Sequence, residues 1–299
     1  MGQKEPSEIA DRNRQLKGIA VTVAGVVILS PDGLLISVIG LDDWTLIFWR
    51  GLLLSIALMI LTVVVNGRDW PRAVRAIGRE GIGVGLLYGA STIFFVLSVR
   101  LTTIANTLFL LSALPLFGAL FSRLFLGERI TRRTYLTTGI VIIGMGVIFG
   151  GDLGAGNFWG NIFGLAVAAS GGGLFVLLRK RRMPDPAPAF ALGGLLAAIV
   201  GFVLAPGELA VPRGDLAPLL ILGLFVLPVS FALAGRGPRY LPAPEVNLIM
   251  LLEAVLGPLW GVAVIGQIPP STTLIGGVIV LTTLAGHFAI GLAGERKKT

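Results

Sequence analysis

Apolar residues run along this chain in long blocks with no polar beat of period two and no pronounced polar stripe of period 3.6. Ten blocks emerge, approximately 18–39, 44–65, 81–98, 103–125, 134–150, 161–178, 189–205, 217–235, 245–265 and 271–293. Each approaches the ~20 residues that cross the ~30 Å of a bilayer's hydrocarbon as an α-helix. Short polar connections separate them and leave no room for a domain outside the membrane. The pattern predicts an all-α integral membrane protein of ten transmembrane helices. Several blocks are short for a perpendicular crossing, which predicts local thinning or buried helix ends.

Charge sharpens this picture. Only 13% of the 299 residues are charged, against roughly a quarter in a soluble domain. The basic residues alternate between the ends of the blocks. On one side lie Lys4, Arg12, Arg14, Lys17, Arg68, Arg72, Arg75, Arg79, Arg123, Arg129, Arg132, Arg133, Arg179–Arg182, Arg236, Arg239 and Arg296–Lys298. The other side has Arg100 and Arg213, and Arg50 falls inside the second block. By the positive-inside rule both termini are cytoplasmic, in a multi-pass protein of the cell inner (cytoplasmic) membrane. The formal net charge of +8 is then topological, and nucleic acid is not an expected partner. Residues 1–17 read as a cytoplasmic tail ahead of a retained first span, and 294–299 as a second tail. With no cysteine and one histidine, no metal site and no cofactor are expected.

An internal repeat follows. The stretch from Arg100 to Glu128 lies on the stretch from Arg239 to Gln267 without gaps, bringing Gly127 onto Gly266. Arg100 and Arg239 fall on opposite sides of the membrane, as a repeat of odd helix number requires. The expectation is two inverted five-helix repeats, 18–150 and 161–293, around a site near the midplane, which is an architecture for alternating access.

Polar groups inside the blocks are the candidates for chemistry, because each is costly in hydrocarbon. Ser30-Pro31-Asp32-Gly33 interrupts the first block, and proline should kink it there. Asp32 and Arg50 have similar depths on consecutive antiparallel helices. They fit a structural ion pair or the polar wall of a vestibule. Glu253 and His287 also share a depth, and fit either a hydrogen bond between helices 9 and 10 or a proton relay for coupling. Asn106 and Ser112 supply polarity in helix 4, where they line a cavity or tie helix ends. Tyr88, Ser91 and Phe95 stand at helical spacing as a cavity face, and Trp49 and Trp260 fall deep enough to join it. Pro115, Pro228 and Pro258 join Pro31 as expected gating kinks. Glycines in helices 5, 6 and 10 predict close helix packing in a monomer, with a dimer as the alternative.

Ten spans, two inverted halves, Ser112-Ala-Leu-Pro115 leading to Gly127-Glu128-Arg129, Leu252-Glu253-Ala254 leading to Gly266-Gln267, and Phe48-Trp49-Arg50-Gly51 together resemble the EamA-type drug/metabolite transporter superfamily. The resemblance covers nearly the whole chain. Ala254 and Gln267 depart from it, where a proline and a glutamate are usual. It implies a secondary transporter exporting small organic solutes through a central cavity. The (aromatic) amino-acid exporter branch makes amino acids the expected cargo, with other metabolites or lipophilic cations as the alternative. A membrane-embedded lipid-modifying enzyme would need a nucleophile–base cluster or a metal-carboxylate motif, and neither is present in the sequence. A channel or scramblase would need a continuous polar stripe, which the blocks lack.

Overall fold

The computed structural model describes residues 6–127, 132–152, 157–181, 186–234 and 249–296, together with 236, 240, 241 and 246. Its helices are α1 (Pro6–Leu29), α2 (Asp32–Val38), α3 (Asp43–Asn66), α4 (Trp70–Arg75), α5 (Gly78–Leu101), α6 (Ile104–Leu111) and α7 (Leu114–Leu126). Then follow α8 (Arg132–Asp152), α9 (Phe158–Arg181), α10 (Ala187–Leu204), α11 (Arg213–Leu220), α12 (Leu227–Ala234), α13 (Glu253–Ile265) and α14 (Ser271–Arg296). Among the described residues, nine helices, counted with their breaks, are long and apolar enough to cross a membrane. The sequence pattern predicts ten. The difference lies at 245–265, where α13 has 13 residues and part of the stretch before it falls outside the described residues.

The interruptions follow from side-chain chemistry. Between α1 and α2, Pro31 has no N–H to offer the Val27 carbonyl. The Ser30 hydroxyl donates to that carbonyl instead, at 2.8 Å. Between α6 and α7 the chain turns at Ser112 and Ala113, ahead of Pro115 in the first turn of α7. The Ser112 hydroxyl donates to the Leu108 carbonyl of its own helix at 2.8 Å. Between α11 and α12, residues Ile221–Val226 form a π-helical turn, a wider winding that accommodates Pro228 just beyond it. Before α13 the chain turns at Leu251 and Leu252. Pro258 sits inside α13, so this span is interrupted upstream of its proline.

Glycine sets how closely the helices approach. A Cβ on Gly51 of α3 would lie 2.5 Å from the Gly194 carbonyl oxygen of α10, and one on Gly89 of α5 2.8 Å from that of Gly193. Backbone therefore lies on backbone where α10 wedges between α3 and α5. This is the packing that drives helix association in lipid, where the hydrophobic effect gives little. The other main contacts pair α5 with α9, α8 with α14, α7 and α6 with α9, α1 with α12, and α13 with α6 and α2. Lipid-facing residues such as Val64, Phe125, Leu136 and Val203 are exposed, the reverse of a soluble protein's surface.

Candidate functional site

The break in the first span places Asp32 at the first residue of α2, facing α3. Its Oδ2 accepts from Arg50 Nη2 at 2.8 Å, and both residues are only 4% exposed. The Arg50 guanidinium lies 5.6 Å from the Phe95 ring centre on α5. Removing one partner from a buried pair of this kind costs about 3–5 kcal/mol, because it strands the other charge. The pair is not self-contained. Asp32 Oδ1 and Arg50 Nε are buried without hydrogen-bond partners, and each such group carries a desolvation cost of roughly 1–3 kcal/mol.

Glu253, the first residue of α13, is half-buried on the helix that packs against α2 and α6. Two turns on, the Trp260 indole N–H donates to the Ser30 hydroxyl at 2.9 Å, tying α13 to the break in the first span. Three interruptions, at Ser30 and Pro31, at Ser112 and Ala113, and at Leu251 and Leu252, occur in segments that pack together: α2 on α13 and α13 on α6. Irregular backbone at membrane depth is tolerated where protein or a cavity can satisfy it.

Aromatic rings bound the cluster. Tyr88 is buried on α5, with ring centres of Phe190 on α10 at 4.7 Å and Phe231 on α12 at 5.8 Å; those two rings are 6.1 Å apart. Ser91, between Tyr88 and Phe95, is half-buried. Trp49 points elsewhere: its indole donates to the Leu209 carbonyl at 2.9 Å, and Asp215 accepts from the Gly40 N–H at 2.9 Å. Together these strap the connection between α10 and α11 over α2 and α3. Arg100 clamps the end of α2, donating to the Ile39 and Leu41 carbonyls at 2.7 and 3.0 Å.

Two expected groups lie apart from the charged cluster. Asn106 is fully buried in a knot in which its amide donates to Thr102 Oγ1 and Asn161 Oδ1 at 2.9 and 3.1 Å and accepts from Thr273 at 2.6 Å. It ties α6 to α9 and α14. His287 on α14 places Nδ1 2.9 Å from the Thr137 hydroxyl on α8. The structure does not bring it to Glu253: shared depth on neighbouring spans did not mean a shared face. Pro228 follows the π-helical turn and Pro258 lies one turn beyond Ala254, whose small side chain is buried.

Several contributors carry weak signals in sequence. Phe190 and Phe231 stand near helix ends, where an aromatic residue reads as an interfacial anchor. Gln267 lies in a loop, yet its side-chain oxygen accepts from the Ile104 N–H at 3.1 Å and caps α6. Asn161, an amide within an apolar block, is a signal that the rule on intramembrane polar residues supplies. Among the described residues, no group of three or more His, Cys, Asp or Glu side chains is placed to hold a metal ion.

Comparison with known proteins agrees with this site's setting. Residues 16–150 match the EamA-like transporter family. An uncharacterized transporter of Archaeoglobus fulgidus is 26% identical over 221 residues, which are 71% of this chain and 78% of that protein. A crystal structure of another protein superposes with a TM-score of 0.62 at 19% identity, covering 92% of this chain and 98% of that one. At that identity the likeness concerns the fold.

Proposed function

We infer, from the premise that residues 16–150 are an EamA-like transporter family domain, that this multi-pass membrane transporter exports small organic solutes by alternating access. Amino acids, aromatic ones among them, are the proposed cargo. The observation that carries the reading is the buried Asp32–Arg50 pair with its unfilled Oδ1 and Nε, set where broken helices meet. Such groups are costly in hydrocarbon and mark solute pathways. An α-amino acid brings a carboxylate for a guanidinium, an ammonium for carboxylates, and an apolar side chain for the Tyr88, Phe95, Phe190 and Phe231 rings.

Two inverted five-helix units supply the proposed mechanism, with α13 completing the ninth of ten spans. A constant offset supports this. α7 and α13 each have 13 residues, follow a two-residue turn, and end at a left-handed glycine, Gly127 (φ 68°) and Gly266 (φ 65°). Helix neighbours also correspond when span n is exchanged with span n + 5. The α5–α9 contact maps onto α12–α1, while α3–α10 and α8–α14 map onto themselves, as does the contact of the fourth span with the ninth. Exchanging the conformations of such halves opens the site to one face and then the other. The lysine and arginine bias makes the face bearing both termini cytoplasmic. Proton coupling, if the carrier is driven, is assigned to Glu253, since His287 is engaged with Thr137.

Purified protein in liposomes should give saturable counterflow of labelled phenylalanine or another amino acid. Absence of flux across a panel of amino acids would remove the cargo assignment, and flux linear in concentration would remove the carrier mechanism.

A further inference from the structure

We propose that Ile104 and Gln267 form a gate at the face opposite the termini, and that this structure is the conformer in which the gate is shut. The proposal rests on the transporter reading for what the gate serves, and on packing and hydrogen bonds for where it lies.

Ile104, the first residue of α6, is fully buried. A Cβ on Gly33 of α2 would lie 3.0 Å from its Cγ2, and one on Gly261 of α13 would lie 3.2 Å from its Cδ1 and 3.4 Å from the Gln267 side-chain oxygen. Leu108, one turn on, covers Gly257 of α13 in the same way. Ile104 thus plugs the space between α2 and α13 at the level of Asp32, the residue before Gly33. Gln267, in the connection after α13, holds the plug in place. Its side-chain oxygen accepts from the Ile104 N–H at 3.1 Å, a donor that a helix start leaves without a partner. Both residues lie at the face opposite the termini. Other bonds between the two halves gather at the same end: Gly40 to Asp215, Trp49 to the Leu209 carbonyl, and Asn106 with Asn161 and Thr273.

The end bearing the termini is looser. The offset that lays Gly127 on Gly266 also lays Gly118 of α7 on Gly257. Among the described residues, the atom nearest a Cβ at Gly118 would be the Gly172 carbonyl oxygen of α9, 3.9 Å away. At this end α7 packs on α9. The start of α13 there borders a cleft of about 230 Å³ toward α14, lined by Leu251, Leu252, Val255, Leu281, Thr282 and Ala285. The glycine seat is therefore filled in the ninth span and loose at its counterpart in the fourth. Exchanging the conformations of the two halves would fill the second seat as the first empties.

Because the chain has no cysteine, Leu108→Cys places its sole thiol in the α6–α13 contact. Labelling by a maleimide in nanodiscs then reports how often the two helices part. In this parent the reaction should be far slower than at the exposed position of Gly207→Cys. Adding Gln267→Leu, which keeps the bulk and removes the acceptor, should speed it roughly fivefold, the worth of one neutral hydrogen bond in a two-state equilibrium. Gln267→Glu keeps an acceptor, since a carboxylate also accepts from an N–H, and should label no faster than the parent. Ile104→Ala removes the plug, keeps the N–H, and should speed labelling at least as much as Gln267→Leu. Melting curves report folding, and the comparison of Gln267→Leu with Gln267→Glu stands even where Ile104→Ala unfolds. Equal labelling in those two folded variants, or a parent as reactive as Gly207→Cys, overturns the gate. The expected labelling pattern without flux in liposomes would instead overturn the transport reading and leave the gate standing. Saturable flux in a protein whose labelling ignores Gln267→Leu would do the reverse.

Discussion

Asp42 shows how one side chain can start a span. It precedes α3, and its carboxylate accepts from the Trp44 and Thr45 N–H groups, both at 3.1 Å. These are two of the donors that a helix start leaves without partners. Burial pushes the Asp42 carboxyl up, but the bonds from Thr45 and Trp44 outweigh it and hold the group below the ordinary aspartate value. A depressed value in the folded state means the carboxylate contributes stability above the unfolded-state pKa. That contribution is lost as pH falls through the folded-state value. Asp42→Ala should thus cost about 1 kcal/mol at neutral pH, the usual worth of such a cap. The gap in thermal stability between variant and wild type should narrow below pH 4. Melting curves across pH 3–7 check this; a gap constant across the range would mean the cap contributes through something other than its charge.

At the scale of the element, the α3–α10 contact makes the sharpest demand on sequence. Gly51, Gly194 and Gly201 meet backbone atoms of the facing helix, and a Cβ on Gly201 would stand 2.5 Å from the Phe48 nitrogen. Neither backbone can yield without parting the helices. Gly194→Leu should therefore destabilise by at least the 1–3 kcal/mol of an overpacked core. Gly139→Leu on α8, where nothing lies within 4 Å of the added Cβ, should leave melting in detergent unchanged. Equal effects would show that glycine content, rather than this contact, governs stability.

Elements also show where sequence reading succeeds and where it stops. Long apolar runs give the spans directly, because a helix is the form in which a single segment satisfies its own backbone in hydrocarbon. Proline 31 gives the first break for the same reason, since a missing N–H is a local fact. Asp32 and Arg50 could be paired from depth alone, as consecutive antiparallel helices are neighbours. Depth failed for Glu253 and His287 because it fixes height and leaves rotation about the helix axis open. Asn106 was legible as polar and buried, yet its partners Asn161 and Thr273 come from helices 55 and 167 residues away. Which of two glycine-rich helices meets which is likewise set by packing that no local window contains.

The whole molecule has two faces of different charge, and its lack of cysteine makes that asymmetry simple to test. Arg236 is exposed on the basic face, and Gly207 is exposed in the connection after α10 on the opposite one. In intact cells an impermeant maleimide should label Gly207→Cys and reach Arg236→Cys only after lysis. The reverse pattern would overturn the proposed orientation.

The Ser30 hydroxyl, which donates to the Val27 carbonyl while accepting from the Trp260 indole, couples two events that would otherwise be independent. Its first bond repairs the backbone at the proline and lies within the first span, so the shape of the break does not depend on α13. Its second adds one neutral hydrogen bond, worth about 1 kcal/mol net, to the packing of α13 on α6 and α2; that is roughly fivefold in an equilibrium between two conformers. In the proposed alternating access the bond within the span would persist while the bond to α13 breaks, a durable pivot and a cheap catch in a single serine.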